Sequence, residues 1–356
     1  MITDVLIRNF KCFKSLTVPE LGRITLIGGR NNVGKTALLE ALFLFLDRAR
    51  IDRILRQYGW RGIEGVLSTP EAMWAPIFYD YDMNHEIIIS TTIDGTPETA
   101  KFSYNPKFVP PVPTTNTPLE ERQISTDEKP VTSFSLDIEY CNNETKKQIS
   151  HLFINPRGQL ALHIDYARIS GHPSQFLPSK KHIASKQTAD EFSKLAKEGR
   201  ESEAIDFLRI IEPRLEALKV ITEGPNSSVH GKLEGFSHSF PIHFMGEGME
   251  KLLNLLVGMV YSKGGCVFVD EMENGLHYSA LPTIWKAIGQ TISKYDCQII
   301  TTTHSYECLQ AAYEGLSEMP EEFRYIRLHR KDDEISAKLS NYDMISTAIR
   351  TNREVR

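Results

Sequence analysis

Apolar residues recur among polar ones from the start of the chain. Ile2, Val5, Ile7, Phe10 and Phe13 predict two short strands with a turn near Arg8–Lys11. Ile24–Ile27 is a short run rich in β-branched residues that ends in Gly28-Gly29, and Thr36–Phe45 (TALLEALFLF) is a strong helix former. From about residue 50 to 225 the pattern changes. Arg50–Tyr58 reads as a helix stopped by Gly59, and His85–Asp94, Lys101–Tyr104, Val131–Tyr140 and Gln159–Arg168 read as strands. Pro106, Pro110, Pro111, Pro113 and Pro118 mark an irregular excursion, and Thr188–Glu216 reads as two helices. Regular alternation returns in the last third. Helix Glu247–Tyr261, strand Cys266–Val269, helix Tyr278–Ser293, strand Gln298–Thr301 and helix Tyr306–Tyr313 follow in turn, then a hairpin of Phe323–His329 and Glu334–Leu339. Short buried strands alternating with helices predict an α/β fold with a mainly parallel sheet flanked by helices.

Composition adds boundaries. With 24% charged and 41% hydrophobic residues, disorder and disulfide scaffolds are excluded, and 356 residues suggest about two domains. A net charge of −5 gives no global argument for nucleic acid. The apolar run Leu252–Tyr261 contains Asn254 and is too short to cross a bilayer, and Asp4 argues against a signal peptide. Cys12, Cys141, Cys266, Cys297 and Cys308 are scattered without a CxxC pair, which reads as a reducing, cytoplasmic setting.

Three constellations carry chemistry. Gly29-Arg30-Asn31-Asn32-Val33-Gly34-Lys35-Thr36 fits GxxxxGK[ST] between a strand and a helix. Glycines let successive N–H groups close on a phosphate, Lys35 reaches the β- and γ-phosphates of ATP, and the Thr36 hydroxyl ligates Mg²⁺. Cys266–Val269 then delivers Asp270-Glu271 at a strand end, with Asp270 a second Mg²⁺ ligand and Glu271 the group that orients the attacking water. Gln298–Thr303 similarly delivers His304, placed to meet the γ-phosphate or the water. Asn274-Gly275 is a turn signal, with Glu273 beside it.

Together these residues resemble the ABC-type ATPase heads of the SMC, RecF and OLD group, with the likeness closest to OLD-like, AAA-type ATPases. LIRNFKCFKSL is similar to the group's N-terminal strand pair, GGRNNVGKT to its Walker A, CVFVDE to its Walker B, ENGLH to its D-loop and TTTHS to its switch-histidine loop. The resemblance implies a P-loop ABC-type head, residues 1–50 and 225–356, with an inserted mixed α+β lobe over 51–224. It also implies a homodimer closed on ATP as a sandwich, and possible higher oligomers. Met245–Met249 lies where the group's signature motif belongs, so Gly246 and Gly248 would offer N–H groups to the partner's nucleotide. Gly246 stands in place of the usual serine. No Q-loop glutamine is evident among Gln57, Gln123, Gln148, Gln159 and Gln175, and Phe78-Tyr79-Asp80-Tyr81-Asp82 receives no role.

No heptads occupy the insertion, which excludes long coiled-coil arms, and the stretch after His304 is too short for a Toprim nuclease domain. The resemblance therefore implies a slow ATPase that controls a separate effector, a nuclease or toxin, as in bacterial antiphage systems. The alternative is a RecF-like DNA-repair ATPase. Its support is Arg50, Arg53 and Arg56, near Arg48 and Arg61, with a second cluster at Lys180, Lys181 and Lys186. A transporter head is disfavoured by the missing membrane segment.

Overall fold

The computed structural model describes residues 1–46, 69–110, 133–142, 146–155, 160–164, 171–179 and 185–350. The expected helix Arg50–Tyr58, the Arg48–Arg61 cluster, Lys180 and Lys181 lie outside the described residues. The chain forms two compact units. One comprises Met1–Val5, Thr17–Asp47 and Gly171–Arg356, the other Leu6–Leu16 and Arg48–Ser170.

The first unit is built on six strands in the order β16-β15-β3-β14-β13-β9. Their ranges are β3 Ile24–Gly28, β9 Ser174–Leu177, β13 Cys266–Val269, β14 Gln298–Thr302, β15 Phe323–Lys331 and β16 Glu334–Ser340. β15, β3, β14, β13 and β9 run parallel, and β16 closes the edge antiparallel. Every residue of β3, β13 and β14 is buried, as expected for parallel strands covered on both faces. Register matters most for function. Val269 pairs with both Thr301 and Leu177, and Thr302 pairs with Ile27. Three strand ends and the loop after Ile27 therefore emerge along one edge of the sheet, where parallel α/β sheets bind ligands.

Helices α1 (Lys35–Leu46), α2 (Ser185–Lys197), α3 (Glu201–Leu208), α4 (Glu247–Tyr261), α5 (Leu281–Tyr295), α6 (Tyr306–Gly315) and α7 (Tyr342–Arg350) complete the main elements. α4 is apolar nearly all round, with Leu252, Leu253, Leu255, Leu256 and Val257 buried, so it needs cover on several sides. α2, α3 and α5 supply it, through Phe192, Leu195, Leu208 and Ile288 in the same core. The helical pair expected within the insertion thus packs in the unit that holds the phosphate loop.

The second of that pair is also shorter than expected. α3 stops at Leu208, and Leu215–Glu223 is strand β10, paired antiparallel with β11 (Asn226–Leu233), which pairs with β12 (Ser239–Pro241). Pro213 lacks the N–H that a continuing helix requires, and Leu215 and Leu218 are buried in the same core as the helices, from a strand.

The second sheet has seven strands in the order β2-β1-β4-β5-β6-β7-β8. They are β1 Ile2–Phe10, β2 Phe13–Val18, β4 Ile87–Ile93, β5 Thr96–Phe108, β6 Ser133–Asn142, β7 Lys146–Ile154 and β8 Leu160–Ile164. From β4 to β8 each strand pairs antiparallel with the next. β1 continues to Phe10, so the reversal falls at the last residue of the expected turn, Lys11, whose φ is 48°. β5 is longer than Lys101–Tyr104, with an irregularity between Asn105 and Phe108 at Pro106. β7 was not anticipated.

Candidate functional site

The loop Gly29–Gly34 joins β3 to α1. Gly29 has φ +136°, and a Cβ there would sit 2.4 Å from the Leu328 carbonyl oxygen of β15. Gly34 has φ +91°, and Asn32, at φ 60°, also takes a left-handed turn that asparagine tolerates. Asn31 and Asn32 are exposed, whereas Val33 is buried as the anchor of the loop. Lys35 is the first residue of α1. Its Nζ donates to the carbonyls of Gly29 and Arg30, both at 2.8 Å, so the ammonium closes the loop on itself. Burial lowers the Lys35 pKa, and Asp270, Glu271 and Glu273 oppose that shift.

Thr36 Oγ1 donates to both oxygens of Asp270, at 3.0 and 3.1 Å. Asp270 is buried at the end of β13 and gathers two further hydroxyls. Thr302 Oγ1, from the end of β14, lies at 2.7 Å, and Ser179 Oγ, just beyond β9, at 3.1 Å. One carboxylate thus collects neutral donors from three places, the start of α1, the end of β14 and the segment just after β9. Hard oxygens around a single acid fit Mg²⁺ better than a soft metal. No group of three or more His, Cys, Asp or Glu placed to hold a metal occurs among the described residues.

Glu271 follows with φ 53°, an unusual conformation for this residue type. Its backbone N–H donates to Thr302 Oγ1 at 2.8 Å. Its carboxylate accepts from Asn274 Nδ2 at 2.5 Å and lies 3.5 Å from His304 Nε2. His304 Nδ1 is 3.2 Å from Lys35 Nζ. An ammonium has only donors, so Nδ1 accepts and the ring proton sits on Nε2, towards Glu271. The His304 backbone N–H donates to Glu273 Oε1 at 2.8 Å. The five candidate residues Lys35, Thr36, Asp270, Glu271 and His304 are therefore linked through direct contacts.

A family model described as "AAA domain, putative AbiEii toxin, Type IV TA system" matches residues 24–309, from β3 into α6. The chain belongs to this family. This AAA-family ATPase domain is 24% identical over 335 residues to a Helicobacter pylori protein named ATP/GTP phosphatase, covering 87% of each chain. A stretch of 70 residues, 18% of the chain, is 40% identical to an uncharacterized protein of Methanocaldococcus jannaschii, 32% of which it covers. Among solved structures, an SMC head bound to the C-winged helix domain of ScpA aligns with a TM-score of 0.51 at 13% identity. It covers 96% of this chain and 98% of that one, which shows an SMC-head-like P-loop fold.

The other expected site residues, Gly246 and Gly248, stand at the start of α4. Gly246 is the N-cap of α4, with φ +119° and open space where a Cβ would stand. Gly248 is different: a Cβ there would come within 2.7 Å of the Gly275 carbonyl oxygen, so the helix start is pressed against the turn after Glu271. Among the described residues, neither glycine hydrogen-bonds to the phosphate loop. Gln175 lies inside β9 with its amide 3.5 Å from Glu191, away from the strand end.

Sequence reasoning passed over Ser179, Thr302 and Lys251 as site residues. Thr302 had a signal, being the last residue of a strand beside His304. Ser179 had a weaker one, the Phe-Leu-Pro-Ser ending of a four-residue strand. Lys251 Nζ donates to the carbonyls of Glu271 at 2.7 Å and Asn274 at 3.0 Å, and burial lowers its pKa to about 8. It sits in the second turn of α4, beside Glu250, and the sequence reading of that helix used only its apolar stripe.

Proposed function

We propose that this AAA-family domain binds and slowly hydrolyses ATP with Mg²⁺, and uses the ATP-bound state to control a separate effector protein. The observation that carries the reading is the convergence of Lys35, Thr36, Asp270, Glu271 and His304 at one sheet edge. Lys35 exchanges its two loop carbonyls for phosphate oxygens. Thr36 and Asp270 present hard oxygens to Mg²⁺, with Ser179 and Thr302 orienting the carboxylate. Mg²⁺, when bound, supplies positive charge against the phosphate oxygens as negative charge shifts in transfer. Glu271, steadied by Asn274, aligns water and takes up its proton. His304 Nε2–H faces that carboxylate and is within reach of the same water. The H. pylori relative's name supports nucleoside triphosphate hydrolysis.

Gly246 and Gly248, at the start of α4, are proposed to meet the nucleotide of a second copy, giving a homodimer with ATP between the chains. Of the lobe expected over 51–224, the part proposed to present the nucleotide state to the effector is the part in the second unit, residues 51–170, since 171–224 belongs to the unit that holds the phosphate loop. The setting is bacterial antiphage defence in the cytoplasm, with a nuclease or toxin as effector. The family description, which names a toxin–antitoxin system, is in keeping with a chain that works alongside another protein. The test is native mass spectrometry of Glu271→Gln expressed from its own genomic neighbourhood with Mg²⁺-ATP. A stoichiometric protein partner is expected. A bare dimer carrying nucleic acid would replace this reading with DNA repair, and retained biological activity in Lys35→Ala would remove the role of ATP.

A further inference from the structure

α4 does more than start near the turn that follows Glu271. Two successive turns of it grip the segment Glu271–Gly275. In the first turn, Gly248 allows the helix backbone to approach the Gly275 carbonyl, and the Cβ of Glu247 lies 3.0 Å from where a Cβ on Gly275 would be. One turn on, at i+3, Lys251 Nζ reaches over to the carbonyls of Glu271 and Asn274. Both acceptors belong to the residues that set the catalytic carboxylate. Asn274 bonds the Glu271 side chain directly, and the Glu271 backbone occupies the left-handed region that its neighbours must enforce. Lys251 is thus a polar link between the first turns of α4 and the residues that set the carboxylate of Glu271.

We infer that Lys251 is a positioning residue that couples occupancy of the α4 start by a second copy's nucleotide to the placement of Glu271. The inference rests on the proposed roles of Glu271 and of Gly246–Gly248. A phosphate drawn to the helix start pulls on the first turn of α4. Lys251 carries that displacement to two carbonyls flanking the turn, and the Glu271 carboxylate moves with them. Without the ammonium, α4 and the loop still touch through Gly248 and Gly275, so nucleotide binding and dimer closure persist while the carboxylate is no longer held. Arginine keeps the charge and several N–H donors at this distance, so it restores most of the link.

The experiment uses the full chain as wild type, Lys251→Met, Lys251→Arg and Glu271→Gln. Affinity is read with N-methylanthraniloyl-ATP, dimer formation by light scattering, and kcat and KM at increasing protein concentration. In the wild type the rate per chain is expected to rise with protein concentration. Lys251→Met is expected to keep affinity and KM within about twofold, to dimerise on ATP, and to lose about tenfold or more in kcat. Its residual rate should be flat against protein concentration, and Lys251→Arg should recover to within about threefold. Near-normal kcat in Lys251→Met overturns the inference. So does a joint fall of affinity, kcat and thermal midpoint that arginine fails to restore, which marks a structural brace only. If Lys251→Met does not fold, Lys251→Gln is judged by the same criteria. A wild type with no ATP-driven dimer sinks the trans-acting helix start, and a fast Glu271→Gln sinks the assignment of the base. Neither result depends on the lysine variants, so each failure is separately visible.

Discussion

The two large sheets of this chain use hydrophobic residues in opposite ways. In the six-stranded sheet, β13 and β14 are short and buried at every position, and all their polar chemistry is pushed to the strand ends. In the seven-stranded sheet, β4 alternates buried and half-buried residues along its length, and Ser90 and Thr99 pair across strands in mid-sheet. A strand with no free face can offer function only where it stops. That is why Asp270, Thr302 and Ser179 meet, although they are far apart in the chain. The antiparallel strands spread polar residues over their faces and concentrate none of the candidate chemistry.

The sharpest test of that contrast is Glu271→Gln. Loss of the carboxylate at a strand end should lower kcat about 10²–10⁴-fold with ATP affinity kept, measured by phosphate release and nucleotide binding. Next come two buried phenylalanines. Phe268→Ala in β13 and Phe102→Ala in β5 should each cost about 3–5 kcal/mol in denaturant unfolding. Only Phe268→Ala should also slow hydrolysis per folded chain, because its strand aims Asp270. Equal slowing by both would break the comparison. Thr302→Val removes the hydroxyl shared by Asp270 and the Glu271 N–H, and should slow turnover by about tenfold or more with a smaller loss of stability.

Acid titration probes the helical layer of the head. Burial alone would raise the Glu203 pKa, but hydrogen bonds from Arg200, Tyr295 and Lys294 outweigh it and bring it down to about 2. A carboxylate depressed in the folded state binds fewer protons than in the unfolded chain. Its contribution is complete above pH 4.5 or so and is lost as pH falls towards 2. Glu203→Gln should therefore flatten the acid limb of the stability curve, seen as a smaller loss of thermal midpoint over that window. The smallest effect expected is Ser90→Ala, under about 1 kcal/mol by the same unfolding assay, since its partner Thr99 stays partly hydrated.

Much of the head was legible because its elements obey a single strong pattern. α4 runs over Glu247–Tyr261 and β13 over Cys266–Val269, as their apolar residues predicted. The candidate residues that the structure brings together were equally legible, since each follows an unbroken apolar strand or a glycine loop. What escaped was decided by partners distant in sequence. β9 is four residues, two of them Ser174 and Gln175, between Pro173 and Pro178, and only pairing with β13 makes it a strand. β10 carries Leu215, Ala217 and Leu218, a helix-like spacing that the register with β11 overrides. β7 begins Lys-Lys-Gln, and its strand character depends on β6 and β8. Lys251 escaped for a related reason: nothing local shows that a carbonyl pair awaits it.

The left-handed backbone at Glu271 sets a conflict between endurance and work. At φ 53° asparagine or glycine would be more comfortable than glutamate, which is held there by its hydrogen-bonded surroundings. An exchange to asparagine would relax the chain while shortening the acid out of existence. Variants selected for heat resistance alone are therefore expected to discard this carboxylate early, gaining robustness as they fall silent.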